Sequence, residues 1–141
     1  MKYFYKYNDF ISEGILIDTK KKIEIDFRIE ADNHFYERLS RGDNEPDKNG
    51  NIIISEDEVI NDINLSLGKI LLKNFFNNGL YWVKGTNKLN KDILISNQKS
   101  KLNIIILISK EKNKYVVTIK SVMRKTNFII SNKEKTEILY I

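Results

Sequence analysis

The chain has 141 residues, of which 41% are hydrophobic and 30% are charged, and this composition is typical of a folded domain rather than a disordered tail. It contains no cysteine and one histidine, which excludes disulfides, thiolate catalysis and a zinc site built from several histidines. No stretch approaches the roughly 18 apolar residues of a membrane span, so we expect a single intracellular domain over residues 1–141 that contacts no membrane.

The net charge of +5 is unevenly distributed along the chain. Residues 43–62 hold seven acidic residues and one lysine, which gives a local net charge of −6. Residues 99–141 hold ten basic and three acidic residues, which gives a local net charge of +7. Because a basic region attracts polyanions, the charge pattern favours nucleic acid as a partner.

The first predicted elements are strands followed by a short helix. Residues 3–17 are rich in aromatic side chains and fit either a strand or a short packed helix. From Lys21 to Ala31 apolar and charged residues alternate, which is the pattern of a half-buried strand. Asp32 and Asn33 then supply a turn or a helix N-cap, and we expect a short helix from His34 to Gly42.

A polar loop over residues 43–51 separates this helix from a longer one, and its Asn49-Gly50 pair is typical of a turn. The segment Ser55-Glu56-Asp57-Glu58 matches a capping box, with the serine as N-cap and Glu58 at the third helical position. Apolar residues then recur at helical spacing as far as residue 75. The helix should end near Asn77-Asn78-Gly79.

The second half of the chain is dominated by predicted strands, over residues 80–83, 93–95, 102–108 and 115–123. Residues 102–108 are almost continuously apolar, as in a central strand buried on both faces. Residues 111–114 should form a hairpin turn, and residues 128–130 and 138–141 fit edge strands or a short tail. This order predicts an α+β fold in which an N-terminal strand and two helices pack on an antiparallel β-sheet meander.

His34, Arg38 and Arg41 form the first candidate site. Residues four and seven apart project from the same face of a helix, so these three side chains would lie together if the segment is helical. Histidine transfers protons near neutral pH, and arginine binds phosphate with a planar charged fork. The alternative is an exposed polar helix face without a function.

The strand from Tyr115 to Met123 supplies the second candidate site. In a regular strand Thr118 and Lys120 lie on one face and Ser121 on the other. We expect Thr118, Lys120, Ser121 and Arg124 to line an open rim of the sheet and to contact phosphate, with Lys125 directly after them. The alternative is a strand with one solvated face.

The two segments together resemble the RelE/BrnT/colicin-type RNase superfamily, in particular its small phage-encoded and toxin-like members. The resemblance covers about residues 23–128 and rests on short motifs. They are His34-x-x-x-Arg38-x-x-Arg41-Gly42, the amphipathic helix with its acidic cap, Leu102-Asn103-Ile104-Ile105 and Val122-Met123-Arg124-Lys125. The loop over residues 43–51 departs from the compact pattern of the family. The resemblance implies a metal-independent endoribonuclease in which His34, Arg38 and Arg41 match the helix motif and Thr118 or Ser121 supplies the hydroxyl of the final strand.

The leading hypothesis is therefore an endoribonuclease that uses no cofactor and cleaves RNA by attack of the 2′-hydroxyl. His34 would be the general acid or base, Arg38 and Arg41 the phosphate clamps, and Lys120, Arg124 and Lys125 would bind substrate. The expected partners are RNA or another nucleic acid and a protein partner, either an antitoxin or a virion component. The expected location is the cytoplasm of a bacterial host cell or the virion. The alternative is a non-catalytic phage protein that binds nucleic acid or belongs to the virion.

Overall fold

A computed structural model describes residues 2–8, 24–31, 33–70, 80–112 and 114–141 of the protein. The helices are α1 (Asn33–Leu39) and α2 (Glu56–Lys69), with a short 3-10 helix at Lys133–Lys135. The strands are β1 (Lys2–Asn8), β2 (Glu24–Ala31), β3 (Asp92–Ser96), β4 (Leu102–Glu111), β5 (Lys114–Arg124) and β6 (Thr136–Tyr140).

The strands described form one six-stranded sheet in the order β1-β2-β5-β4-β3-β6. Strands β3, β4 and β5 form the predicted antiparallel meander, and β4 pairs with β5 over ten residue pairs. The two outer pairings of the meander are parallel, since β2 lies parallel to β5 and β6 lies parallel to β3. The predicted α+β class with helices packed on a sheet is confirmed, but the sheet is mixed rather than wholly antiparallel.

The hydrophobic core lies between the two helices and one face of the sheet. Phe35 and Leu39 of α1 are buried in it, together with the apolar stripe of α2 from Val59 to Leu67. The sheet contributes every second residue of its central strands, which in β4 are Leu102, Ile104, Ile106 and Ile108. Of the residues between them, Asn103 is buried but Ile105 and Leu107 are only half-buried, so β4 is not fully buried on both faces as its apolar run predicted.

The start of α2 forms half of the predicted capping box. The Ser55 hydroxyl accepts a hydrogen bond from the backbone N–H of Glu58 at 3.2 Å, as an N-cap residue does. The Glu58 side chain is directed to the sheet instead of back to Ser55. Its two carboxylate oxygens accept hydrogen bonds from the Arg124 guanidinium at 2.9 and 2.6 Å. This bidentate ion pair joins the first turn of α2 to the last residue of β5.

Several predicted elements differ in the structure. Residues 80–83 form no sheet strand, because Val83 N–H bonds to the Lys88 carbonyl and Asn90 N–H to the Tyr81 carbonyl, which closes a small local loop. Residues 128–130 are also irregular, whereas 138–141 lie largely within the edge strand β6. Residues 2–8 form a strand, and the rest of the aromatic stretch, Lys21 to Ile23 and the expected end of α2 near Gly79 lie outside the described residues.

Two predicted turns are confirmed. The hairpin between β4 and β5 pairs Glu111 with Lys114. At the Asn49-Gly50 pair, Gly50 has a φ of 83° and donates its N–H to the Asp47 carbonyl. The Asp47 carboxylate accepts the N–H groups of Asn51 and Asn49, and these bonds hold its pKa below the ordinary value.

Within the described part of the chain, no helix has the length and apolar character needed to cross a membrane.

The ion pair between Glu58 and Arg124 makes a prediction for stability. Arg124 is fully buried, so Glu58→Ala leaves a buried guanidinium without its counter-charge. We expect the free energy of unfolding to fall by about 2–3 kcal/mol, at the lower end for a broken buried pair because the Glu58 side chain is 31% exposed. Urea unfolding measures this loss.

Asp57→Ala is the matched control, since Asp57 is exposed in the same helical turn and favours the helix only through the macrodipole. Asp57→Ala should lower the free energy of unfolding by about 0.5 kcal/mol. Equal losses for the two variants would contradict a stabilising role of the pair.

Candidate functional site

The predicted helix motif is only partly helical. His34 and Arg38 lie on α1, which ends at Leu39, so Arg41 belongs to the turn that follows. The helix ends early because the Arg38 carbonyl accepts the Arg41 N–H at 3.4 Å and the side-chain amide of Asn44 at 3.0 Å. The prediction of a helix as far as Gly42, with all three side chains on one helical face, is therefore wrong.

The side chains of the motif are engaged separately. His34 is 70% exposed, and its Nδ1 lies 3.4 Å from the Glu37 carboxylate. Arg41 pairs with the Asp43 carboxylate at 3.3 Å. The Nε of Arg38 is buried and makes no hydrogen bond with the described residues. An exposed imidazole beside a carboxylate is chemically able to accept and to donate a proton.

A β-bulge determines where the strand residues lie. Ile106 pairs with Ile119 and Ile105 pairs with Ser121, so Lys120 is an extra residue in β5. Because paired residues share a face, Thr118 and Ser121 lie on the same face as Leu107 and Ile105. The prediction that Thr118 and Ser121 lie on opposite faces is wrong, since an alternating pattern assumes a strand without a bulge.

The sheet separates the two predicted halves of the site. The buried residues of α1 share the core with Val117, Ile119 and Val122 of β5. Thr118 and Ser121 lie on the other face of that strand. The structure therefore does not bring His34, Arg38 and Arg41 together with these two hydroxyl groups.

Two of the three predicted substrate-binding residues have acidic partners. Lys120 donates to the Asp92 carboxylate at 3.0 and 3.2 Å. Arg124 is buried, and besides Glu58 it contacts the Ser100 carbonyl at 2.9 Å. It is a structural residue at the end of β5. Lys125 is exposed and has no acidic partner among the described residues.

Buried Asn103 holds the backbone of Lys125 next to that of Lys101. Its Nδ2 donates to the carbonyls of Lys101, Met123 and Lys125 at 3.0, 3.3 and 3.1 Å. The Lys125 N–H also donates to the Lys101 carbonyl at 3.0 Å. Lys101 adopts a left-handed backbone with a φ of 63°, a conformation that side chains disfavour. The backbones of two exposed lysines are thus held side by side at one end of the sheet.

These lysines lie at a polar cavity of 220 Å³, on the side of the sheet that carries Ser96, Asn103 and Tyr140. We call it the lysine recess and define it by Gln98, Lys101, Lys125, Asn127, Phe128 and Tyr140. No acidic side chain lines it. Its ionised side chains are therefore both positive, and most of the remaining lining surface is polar.

A larger cavity of 640 Å³ adjoins the recess, since Asn97 and Lys101 line both. Lys48 and Lys99 add two more ammonium groups to it. Asp47, Glu58 and Arg124 also line it, and Arg124 is already paired with Glu58. The two cavities together form a continuous series of exposed lysines, Lys48, Lys99, Lys101 and Lys125, around the turn between β3 and β4.

Asn97 organises that turn and connects it to a buried acid. Its Oδ1 accepts the N–H groups of Lys99 and Ser100, and its Nδ2 donates to both carboxylate oxygens of Asp62 at 3.2 and 3.3 Å. Burial raises the pKa of Asp62, and the nearby Glu58 carboxylate raises it further, against the opposing effects of Asn97 and Arg124.

Sequence reasoning found Lys125 but missed Asn97, Lys101 and Asn103 as members of one site. The polar run from Ser96 to Lys101 between two apolar strands signals a hairpin turn. It does not signal that the end of β5 lies against that turn, because this depends on strand pairing across the sheet.

Comparisons with known proteins found no relative: no protein-family model, no curated protein and no solved structure matches the chain. The resemblance to the RelE/BrnT/colicin-type superfamily stays a prediction from short sequence motifs.

Asp62 makes a prediction for the pH dependence of stability. Its pKa in the folded protein lies above the ordinary value of 3.8, so the folded state favours the protonated acid. The stability that Asp62 contributes is full below pH 3.8 and is lost as the pH rises through the raised pKa. Asp62→Asn removes this titration but keeps an oxygen that accepts from Asn97.

We therefore expect the free energy of unfolding of Asp62→Asn, relative to the wild type, to increase as the pH rises from 3.8 and then to level off. Urea unfolding at a series of pH values measures the difference. A difference that is constant or shrinks with rising pH would contradict the raised pKa.

Proposed function

We propose that the protein binds nucleic acid without cleaving it, through phosphate contacts at the lysine recess and the adjoining cavity. One observation supports this most strongly: the backbones of Lys101 and Lys125 are held together by a backbone bond and by buried Asn103, with no acidic side chain lining the recess. Like charges carried on adjacent backbones repel each other, and a bound anion relieves this repulsion.

The distribution of acidic side chains favours a binding site over a structural one. The left-handed conformation of Lys101 belongs to the hairpin turn between β3 and β4, in which the Lys101 N–H donates to the Asn97 carbonyl at 2.9 Å. A structural role would be served better by glycine at Lys101 and by an acid beside Lys125. Instead the chain places its acids, Glu58 and Asp92, on Arg124 and Lys120.

Nucleic acid fits the surroundings of the recess better than an isolated phosphate does. Lys48 and Lys99 extend the positive surface beyond the recess, as a chain of phosphates requires. Tyr140, which is 62% exposed, adds an aromatic side chain near these lysines. Cations interleaved with exposed aromatic rings are typical of surfaces that bind single strands.

The lysine pair is tested by the double variant Lys101→Ala/Lys125→Ala. We expect its affinity for a labelled single strand to fall about tenfold at moderate salt, because two phosphate contacts are lost. The slope of log affinity against log salt should become shallower by about 1.4. Fluorescence anisotropy over a salt series measures both quantities.

Lys84→Ala/Lys88→Ala is the matched control, since it removes the same charge from the loop that pairs with Ser109 at the other end of β4. This control should keep nearly wild-type affinity. Equal losses for both double variants would indicate diffuse attraction to a basic protein and would overturn the site, as would an absence of binding by the wild type.

A second candidate function is RNA cleavage at α1. It is favoured by the exposed His34 imidazole, which lies 3.4 Å from the Glu37 carboxylate and on the same short helix as Arg38. In this mechanism His34, beside Glu37, would take the proton of the 2′-hydroxyl as that oxygen bonds to phosphorus, and would return it to the 5′-oxygen as the bond from phosphorus to that oxygen breaks, while Arg38 neutralises the phosphate. The hydroxyl groups of Thr118 and Ser121 would take no part.

Incubation of purified protein with bulk RNA in the presence of EDTA separates the two functions. For a binding protein, we expect no fragments that end in 2′,3′-cyclic phosphate, and His34→Ala should bind RNA as the wild type does. Fragments that appear with the wild type and disappear with folded His34→Ala would establish the nuclease and refute our proposal of binding without cleavage.

A further inference from the structure

We infer that the protein forms a dimer in which strand β6 pairs antiparallel with β6 of a second copy, so that the two sheets join into one. This inference stands apart from the proposed binding of nucleic acid, because it rests on the edge of the sheet and not on the lysines. Among the strands described, β6 is the last of the sheet and pairs only with β3. The outer edge of such a strand is a template for another strand.

The direction of the backbone groups of β6 follows from its parallel pairing with β3. The Ile141 N–H donates to the Ser96 carbonyl at 2.9 Å, and the Ile141 carbonyl accepts the Gln98 N–H at 3.0 Å. Successive residues of a strand direct these groups to alternate sides. Ile138 and Tyr140 therefore direct their N–H and C=O groups to the outer edge, away from β3.

This edge lacks the features that normally prevent strand pairing, which are charged side chains, proline and β-bulges. The sequence of β6 is Thr-Glu-Ile-Leu-Tyr, and its one ionised residue, Glu137, is paired with Lys91 at 3.8 Å. Ile138 and Tyr140 are 36% and 62% exposed. By contrast, the sequence of β1 at the other edge contains two lysines. The outer edge of β6 is thus uncharged and partly apolar.

A second copy of β6 fits this edge because the edge is self-complementary. With a two-fold axis at Ile138, that residue faces its own equivalent, and Thr136 faces Tyr140. Glu137 then faces Leu139, so no like charges lie opposite each other. The uncharged, exposed side chains of the edge would cover one another across the axis.

The backbone groups match in the same register. The two Ile138 residues would exchange both of their hydrogen bonds, as a hydrogen-bonded antiparallel pair does. Each Tyr140 N–H would donate to the Thr136 carbonyl of the other copy. The Thr136 N–H is not needed for the pairing, since it already donates to the Lys133 carbonyl.

The described helices leave room for this dimer. Helix α2 contacts β3 and β4, which lie inside β6 in the sheet. The β3 strands of the two copies would be three strand spacings apart, or about 14 Å. Packed helices need only about 8–10 Å between their axes, so the two α2 helices would not collide.

The dimer would present both lysine recesses on one side of the joined sheet. The two-fold axis of an antiparallel strand pair is perpendicular to the sheet, so equivalent faces of the two copies lie on the same side. Tyr140, which lines the recess, faces Thr136 of the other copy. The Cα atoms of the two Tyr140 residues would therefore be about 14 Å apart.

Residue 138 supplies the main test, because it faces its own equivalent. Sedimentation velocity up to about 200 μM should show a dimer of the wild type with a dissociation constant in the micromolar range, as a small interface gives. Ile138→Lys and Ile138→Glu each place like charges about 5.5 Å apart between Cα atoms, and each should weaken the dimer at least about tenfold. An equimolar mixture of the two variants should dimerise again, because opposite charges then face each other.

Leu65→Lys is the matched control, since Leu65 is 67% exposed on α2 in the helical layer. It should dimerise as the wild type does, and circular dichroism establishes that each variant is folded. A wild type that stays monomeric would overturn the inference. So would a dimer that survives Ile138→Lys, an equal loss in Leu65→Lys, or a mixture of the folded charged variants that stays monomeric.

Cysteine cross-linking tests the register without charged variants, because the chain has no cysteine of its own. A mixture of Thr136→Cys and Tyr140→Cys should form a disulfide-linked dimer on mild oxidation, since Cα atoms about 5.5 Å apart suit a disulfide. Tyr140→Cys alone should not, because its two thiols lie too far apart. Equal cross-linking of Tyr140→Cys alone and of the mixture, or none in the mixture, would contradict the pairing.

Discussion

The ion pair between Glu58 and Arg124 connects the helical layer to the end of the sheet and fixes the surroundings of the lysine recess. Arg124 also bonds to the Ser100 carbonyl in the turn between β3 and β4. Its backbone N–H donates to Asn44, and its carbonyl accepts from Glu45, so the loop after α1 is attached at the same point. One buried arginine therefore positions a helix and a turn through its guanidinium, and a loop through its backbone, around the cavities proposed to bind nucleic acid.

The charge distribution becomes understandable once the fold is known. Along the sequence, an acidic segment and a basic segment appear separate, with local charges of −6 and +7. In space, Glu58 neutralises Arg124, and Glu45 accepts hydrogen bonds from Thr126 at 2.6 and 2.8 Å. The acids thus hold the basic segment in place without neutralising Lys101 and Lys125. This allows a protein with a modest net charge to present a locally positive site.

How far the sequence predicted this structure depends on the range of the interactions involved. The N-cap at Ser55, the hairpin at Glu111 and the turn at Gly50 are local, and all three were predicted correctly. The parallel pairing of β2 with β5 and the proximity of Lys101 to Lys125 involve residues far apart in the sequence, and no local pattern encodes them. His34, Arg38 and Arg41 do not share one helical face, because Asn44, a residue beyond α1, donates to the Arg38 carbonyl where the helix ends, before Arg41.

The bulge at Lys120 sets the phase of the strand for everything after it. If β5 alternated regularly through Lys120 with no bulge, Arg124 would lie on the side of Thr118, away from α2 and from Glu58. Val122 would leave the core by the same shift. Because Lys120 is the unpaired residue, its deletion would restore a regular alternation from Ile119 to Ser121 and keep Val122 and Arg124 on the core side. A deletion after Ser121 would instead turn Arg124 away from Glu58, so the tolerance of β5 to a change in length depends on whether the bulge can absorb it.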